Sequence, residues 1–242
     1  MKYSRRKTAF YSKSTVTFNP SFDLLARCGD VHPLPGPQAT TSEHHSKLSL
    51  MLLNARSLVN KLVDFQASIY ANSENIVIVF ETWLTSAILD HEILPSGYVV
   101  YRRDRGNDKR GGRVLIAIKN DVASARRTDL ESNCELVVME VNPSRGNKFL
   151  VGGLYRPPST KGEYLLAFKD FLANADRGST PLYVYGDFNF PDINWDFQVA
   201  PGSDNLPSMF CDIINDSLLT QMNHAPTGIT DNSKKILNAY VV

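Results

Sequence analysis

The feature that most constrains this chain is a series of short apolar runs that each end in a polar side chain. Such runs, rich in Val, Ile and Tyr, are typical of buried strands. Three of them are residues 76–80, followed by Glu81, residues 149–154, followed by Tyr155, and residues 182–185, followed by Gly186-Asp187-Phe188-Asn189. Because side chains alternate along a strand, Asp187 and Asn189 are predicted to point the same way. The pattern predicts acid, amide and phenol groups at the ends of separate strands.

The remaining periodic segments predict more strands and three helices. Further strands are predicted at 48–53, which ends before Asn54, and at 98–101, 114–118 and 136–141. Apolar spacing predicts a helix from Ser57 through Ile69, a second from Thr160, with Glu163 completing a capping box, through Ala175, and a third over residues 206–214. This mixture indicates an α/β or α+β protein.

Composition fits one domain and sets limits on its partners. At 242 residues with a net charge of +1, the chain has no overall basic field, so any nucleic-acid contact must come from local patches. Residues 1–46 are basic at their start, contain Pro33, Pro35 and Pro37, and show no period, which predicts a largely unstructured N-terminal segment. The domain is predicted over residues 47–242.

Cysteine spacing and run lengths exclude several classes. Cys28, Cys134 and Cys211 are far apart, which indicates neither a zinc site nor a disulfide framework. The longest apolar runs fall far short of the roughly 18 residues that cross a bilayer. We expect a monomer in the nucleus or cytoplasm, without membrane contact or small-molecule cofactor.

The polar motifs stand in a recognisable order. They are Asn54-Ala55-Arg56-Ser57-Leu58, Glu81-Thr82-Trp83-Leu84, Tyr155-Arg156-Pro157-Pro158 and Gly186-Asp187-Phe188-Asn189. Across roughly residues 47–242 this order resembles the endonuclease domain of LINE-type (non-LTR, CR1-like) retrotransposons, within the endonuclease/exonuclease/phosphatase superfamily. The resemblance implies a four-layer α/β sandwich of two mostly antiparallel sheets flanked by helices, and an enzyme that nicks DNA to prime reverse transcription.

The resemblance also implies a role for each motif residue. Phosphodiester hydrolysis needs an activated water and a neutralised phosphate, which a hard cation supplies. Glu81 is implied to bind Mg²⁺ or Mn²⁺, with Asn54 sharing the metal or binding phosphate. Asp187 would orient the attacking water, Asn189 would hold that water and a phosphate oxygen, and Tyr155 would donate to the phosphate. Each has a structural alternative. Glu81 could be a solvated surface residue and Asn54 a helix cap. Asp187 and Asn189 could form an Asx turn, and Tyr155 could be a core residue.

Substrate contacts are expected from basic and hydroxyl side chains. Thr227 matches a threonine near the DNA-binding face of the family. Candidate phosphate contacts are Arg56, Arg102, Arg103, Arg105, Arg110 and Arg113.

One part of the family pattern is not found. The resemblance implies an Ile/Leu-Leu-Asp-Leu-Val segment followed by a catalytic Ser-Asp-His, but Asn238 stands in place of that Asp and no Ser-Asp-His follows. We therefore expect the C-terminal strand or strands to be missing, the domain to be truncated and its activity to be weak or absent. A noncatalytic retroelement remnant that binds nucleic acid or a partner is the alternative. A phosphatase acting on a small ligand is less favoured.

Overall fold

The computed structural model describes residues 15–18, 25–27, 48–104, 113–144, 146–176, 180–202, 205–221, 228–230, 233–235 and 238–241. The strands are β1 (Thr15–Phe18), β2 (Leu25–Arg27), β3 (Leu48–Asn54), β4 (Ile76–Phe80), β5 (Tyr98–Arg103), β6 (Val114–Lys119), β7 (Ala123–Arg126), β8 (Glu135–Asn142), β9 (Phe149–Tyr155), β10 (Leu182–Asp187), β11 (Gly228–Thr230), β12 (Ser233–Lys235) and β13 (Asn238–Val241). The helices are α1 (Leu62–Asn72), α2 (Asp90–Ile93), α3 (Gly162–Asp176) and α4 (Leu206–Asp216).

Two sheets form the centre of the molecule. The first has the order β2-β1-β3-β4-β6-β5 and the second the order β13-β10-β9-β8-β7, while β11 and β12 pair separately. In each large sheet a single pair of strands is parallel, β3 with β4 and β9 with β10, and the other pairs are antiparallel. The predicted sandwich of two mostly antiparallel sheets is confirmed.

The two sheets pack face to face through alternate residues of their strands. Leu50 and Ile78 of the first sheet and Val137 and Val151 of the second belong to one buried cluster between the sheets. The opposite faces are covered by helices. Phe65 of α1 packs on the first sheet, and apolar residues of α3 and α4 pack on the second. The result is four layers, helix on sheet on sheet on helix.

Several elements differ from the sequence-based prediction. The segment 1–46 contains β1 and β2, two short strands that were not predicted, and β1 pairs antiparallel with β3. The largely unstructured character predicted for the segment as a whole stays a prediction. The remaining residues of that segment lie outside the described ranges. Helix α1 starts at Leu62 and not at Ser57, because Ser57 has a φ of 81°, which a right-handed helix does not permit. Strand β7, with only four residues of weak strand preference, was not predicted.

The close approach of the sheets depends on Gly153 of β9. A Cβ at this position would lie 3.0 Å from Val114 Cγ1 and 3.2 Å from both Ile116 Cδ1 and Ile78 Cγ2. Its neighbour Gly152 faces the helix layer, where a Cβ would meet its nearest atoms at 3.6 Å. The absence of a side chain at Gly153 therefore sets the distance between the sheets.

We predict that Gly153→Ala lowers the free energy of unfolding by about 1–3 kcal/mol, because the added methyl group overpacks the core between the sheets. Gly152→Ala is the matched control and is expected to change stability far less, since its methyl group makes ordinary contacts. Urea denaturation of the two variants checks this. Equal stability of the two variants would contradict the proposed close packing.

Candidate functional site

The polar strand ends meet at one edge of the sandwich. Asn54 ends β3 and pairs with Phe80, the last residue of β4, while Tyr155 ends β9 and pairs with Asp187, the last residue of β10. By strand alternation Asn54 lies on the same sheet face as Leu50, and Asp187 on the same face as Tyr185, both of which pack between the sheets. The carboxyl ends of both parallel pairs therefore deliver polar groups to the space between the sheets.

Asn54 connects acids from the two sheets. Its Nδ2 donates to Glu81 Oε1 at 2.9 Å and to Asp187 Oδ2 at 2.7 Å. Its Oδ1 accepts from the Arg56 N–H at 3.3 Å. The structure thus brings Asn54, Glu81 and Asp187 together, although they lie far apart in the chain. Their catalytic and metal-binding roles stay predictions.

The backbone at Glu81 turns its side chain toward this group. Phe80 points between the sheets, so plain alternation would direct Glu81 to the opposite face. Glu81 instead has a φ of 51°, in the left-handed region, which redirects the side chain. Backbone hydrogen bonds hold the turn, since Glu81 O accepts from Ser57 N at 2.8 Å and Thr82 O accepts from Leu58 N at 2.9 Å.

Asp187 is a buried acid beside another acid. Only 2% of the residue is exposed. Burial, and after it the neighbouring Glu81 carboxylate, raise the pKa of Asp187 to about 7, although the Asn189 N–H and the Arg56 charge act in the opposite direction. A carboxyl group with a pKa near neutrality and a second carboxylate beside it is typical of sites that bind cations or move protons.

Asn189 does not follow the alternation predicted for it. Strand β10 ends at Asp187, and Asn189 has a φ of 52°, so the two side chains do not belong to one regular strand. The Asn189 N–H donates to Asp187 Oδ1 at 3.2 Å, which forms the Asx turn considered as the alternative. The Asn189 side chain donates to Arg156 O at 2.7 Å. Asn189 therefore joins the loops that follow β9 and β10.

Arg156 lies in one of the sequence motifs, but no role was predicted for it. It is buried, and its Nη1 donates to Phe188 O at 2.9 Å and Asn189 O at 3.3 Å. Its guanidinium carbon lies 3.8 Å from the centre of the Phe190 ring. Arg156 thereby fixes the loop that follows Asp187. The signal available in the sequence was a charged residue directly after a fully apolar strand.

Tyr155 lies beside Asp187 but is largely buried. It is 6% exposed and belongs to the cluster between the sheets, which matches the alternative of a core tyrosine. Its main-chain carbonyl accepts from the Tyr164 hydroxyl group. Its register with Asp187 places it at the same edge, so the predicted phosphate contact stays a prediction.

The predicted substrate contacts fall into four groups. Arg56 is exposed, and its charge lowers the pKa of Asp187, which places it at the site. Arg102 and Arg103 are committed elsewhere: Arg102 binds Ile88 O at 2.8 Å and Asp90 at 3.2 Å, and Arg103 binds Ser132 O at 2.9 Å. Arg113 is buried. Arg105, Arg110 and Thr227 lie outside the described residues.

The donor set fits a hard divalent cation. Carboxylate and amide oxygens are what Mg²⁺ and Mn²⁺ prefer, and two adjacent carboxylates favour a cation between them. The Asn54 amide presents its nitrogen to the acids, and a half-turn of that amide would present its oxygen instead. Among the described residues no group of three or more His, Cys, Asp or Glu side chains is found. Water and substrate oxygens would complete the shell, as is usual for Mg²⁺.

A family pattern matches most of the chain. The chain belongs to the Endonuclease/Exonuclease/phosphatase family, whose pattern matches residues 50–234. Nucleases of this family generally use divalent metal ions. No curated protein sequence matches the chain significantly. Within the described residues, no helix is both long and apolar enough to span a bilayer.

Solved structures share the fold at low identity. The endonuclease domain of TRAS1, a telomere-specific non-LTR retrotransposon, has a TM-score of 0.60 at 13% identity, over 79% of this chain and 82% of that domain. The AP endonuclease LMAP from Leishmania major has a TM-score of 0.58 at 13% identity, over 79% and 78% of the two chains. The 3'-5' exonuclease NExo from Neisseria meningitidis has a TM-score of 0.56 at 14% identity, over 79% and 85%. These likenesses establish the fold.

The raised pKa of Asp187 predicts a pH-dependent stability. As the pH rises from about 4 to about 7, the unfolded chain releases the Asp187 proton while the folded chain keeps it, so the free energy of unfolding falls. A shift from 3.8 to about 7 corresponds to a loss on the order of 4 kcal/mol. We predict that Asp187→Asn lacks this loss when urea unfolding is measured in EDTA.

The exposed Asp170 of α3 provides the matched control. Asp170→Asn is expected to keep the native dependence of stability on pH, because its carboxylate is solvated. Curves of stability against pH that run parallel for the native chain and Asp187→Asn would contradict the buried, proton-retaining state of Asp187.

Proposed function

We propose that this chain is a divalent-metal-dependent DNA endonuclease of the non-LTR retrotransposon kind, which nicks one strand to prime reverse transcription. The observation that carries the proposal is the hydrogen-bonded group of Asn54, Glu81 and Asp187 at the carboxyl ends of strands from both sheets. An acid pair at this place in this family's fold suits hydrolysis of a phosphodiester.

Each side chain has a task in the proposed reaction. Asp187 orients the attacking water and accepts its proton, and its pKa near neutrality suits a general base. Glu81 and Asn54 would hold the cation, which when bound neutralises charge on the phosphate. Tyr155 donates a hydrogen bond to a phosphate oxygen. Asn189 and Arg156 are proposed to support the base, because the Asn189 N–H donates to the Asp187 carboxylate and Arg156 fixes the loop that follows it.

DNA is the proposed substrate for two reasons. The ordered motifs resemble the retrotransposon branch, and the fold is like that of the TRAS1 endonuclease domain. The exposed Arg56 is also available at the site for a phosphate contact. A polynucleotide contacts a wider surface than a small phosphorylated ligand, and this arginine lies at the rim of the acid group.

We predict that Glu81→Gln abolishes binding of Mg²⁺ or Mn²⁺ with little change in stability. The amide keeps the size of the side chain but removes the charge that attracts the cation. A substitution of this kind outside the core normally changes stability within about 0.5 kcal/mol. Titration calorimetry gives the metal affinity, and conversion of supercoiled plasmid to the nicked form gives the activity.

Glu163→Gln is the matched control, because Glu163 is exposed at the start of α3 and should have no part in metal binding. Equal metal affinity of the native chain and Glu81→Gln would refute the assignment of Glu81. DNA binding without metal-dependent nicking in either protein would instead favour the noncatalytic alternative.

The activity is proposed to be weak. Asn238 pairs with Asp187 in the β10–β13 register, at the position where the family pattern has an acid. Among the described residues His91 is the one histidine, and it lies in α2, whose Asp90 is paired with Arg102. No histidine of the described chain makes a hydrogen bond to Asn54, Glu81 or Asp187.

We predict that Asn238→Asp raises the initial rate of plasmid nicking in Mg²⁺ several-fold. The gain should stay below about 10²-fold, the lower end of the range for a complete acid/base partner. The reason is that position 238 pairs with Asp187 in the strand register, so the substitution restores the acid that the family pattern has there. Asn215→Asp on the exposed side of α4 is the control and should leave the rate unchanged. Equal rates in the native chain and Asn238→Asp would contradict this role.

A further inference from the structure

Trp83 is a large aromatic residue that the proposed reaction leaves without a task. It stands two residues after Glu81, so their Cα atoms lie within about 7.6 Å of each other. It is 37% exposed, whereas its neighbours Thr82 and Leu84 are buried at 1% and 0%. The chain therefore holds the residues on both sides in the core and exposes part of the indole two residues from Glu81.

The backbone at Trp83 is held in an unfavourable conformation. Its φ is 54°, in the left-handed region, which is rare for a bulky residue. The segment around it is fixed by hydrogen bonds, since Leu84 N donates to Thr82 Oγ1 at 3.4 Å and Thr82 O accepts from Leu58 N at 2.9 Å. Such conformations cluster at sites where the geometry serves function.

Arg56 stands across the same pair of loops. Ala55 N donates to Phe80 O at 2.9 Å and Ser57 N to Glu81 O at 2.8 Å, so residues 55–58 run beside residues 80–82. Arg56 lies in the first of these segments, has a φ of 43° and is exposed. The Arg56 guanidinium group, which can bind a phosphate, and the Trp83 indole therefore lie on neighbouring, hydrogen-bonded segments at the site.

We propose that Trp83 stacks on a nucleobase next to the scissile phosphate, and that this stacking gives the enzyme a preference for DNA whose bases are already unpaired. This inference rests on the proposed DNA endonuclease function and adds a specificity-determining residue to it. Arg56 contacts the phosphate of the same nucleotide.

The preference follows from the geometry of duplex DNA. Each base in a duplex has both faces covered by its neighbours, so an indole can reach a base face only where the base leaves the stack. That step has a cost, which is smallest for mismatched or single-stranded bases. Aromatic stacking is also tolerant of sequence, because every base has a flat face. The structure therefore assigns a preference for DNA deformation and not for particular base pairs.

The first test compares two short duplexes of the same length, one fully matched and one with a central mismatched bubble. The native chain in Mg²⁺ is expected to nick the bubble with the lower KM. Trp83→Ala should raise KM for the bubble by roughly ten- to a hundredfold and remove the preference. Trp83→Phe should restore part of it, and Tyr70→Ala, which removes an exposed aromatic of α1, should leave it unchanged.

A second test detects stacking without activity. Trp83 and Trp195 are the two tryptophans of the chain, so Trp195→Phe leaves Trp83 as the single indole. Its fluorescence should be quenched by the bubble DNA at concentrations where the matched duplex has little effect. Trp83→Phe retains Trp195, which packs on Phe210, and its fluorescence should not respond.

The outcomes separate this inference from the proposed function. Nicking that depends on Glu81 but keeps its preference in Trp83→Ala, with no quenching of Trp83, would overturn the stacking inference alone. Quenching without nicking would support stacking and count against the endonuclease. A chain that binds neither the bubble duplex nor the matched duplex would overturn both the stacking inference and the proposed endonuclease function.

Discussion

The arrangement of the site depends on the double hydrogen bond of the Asn54 amide. A single amide nitrogen reaches a carboxylate at the end of β4 and another at the end of β10, at 2.9 and 2.7 Å. The two strands belong to different sheets, so this contact sets the sheets against each other at their polar edge. Gly153 has the complementary effect in the apolar centre, where it lets the sheets approach. The site is therefore a consequence of how two sheets pack, and not of any one loop.

Holding this site costs stability. Asp187 is buried beside a second acid, and its pKa is raised to about 7. The folded chain therefore disfavours the charged form of this carboxyl group. Arg56, Glu81, Trp83 and Asn189 all have left-handed backbone conformations, each of which costs roughly 1–3 kcal/mol outside glycine. Buried contacts such as those of Arg156 with Phe188 and Phe190 keep these conformations in place. Backbone strain of this kind clusters at binding and catalytic sites.

Much of the fold could be predicted from the sequence, because its strands are short apolar runs with clear ends. The bounds of β4 and the start of β9 were predicted correctly, and the resemblance supplied the sandwich. β1 was missed because its pairing with β3 is a tertiary contact, which local periodicity does not report. The helix predicted at Ser57 started too early because an apolar spacing does not reveal a positive φ.

The site was predictable in composition but not in detail. The acids and Asn54 could be chosen because each follows a strand. The orientation of Asn189 could not, since the alternation rule ends where the strand ends, at Asp187. Arg156 and Trp83 were overlooked because a charged or aromatic residue beside a motif has no distinctive local pattern. Only the structure distinguishes them, because it shows that Arg156 is buried and that Trp83 is exposed.

Glu81 and Asn54 are proposed to hold one divalent cation beside the Asp187 carboxylate. The most direct measurement is a crystal structure grown with Mn²⁺, whose anomalous scattering marks the position of the ion. We expect a single strong peak bound by Glu81 and Asn54, with oxygen ligands at about 2.1 Å from the ion. A peak bound elsewhere, or no peak at this edge when Mn²⁺ is in excess, would contradict it.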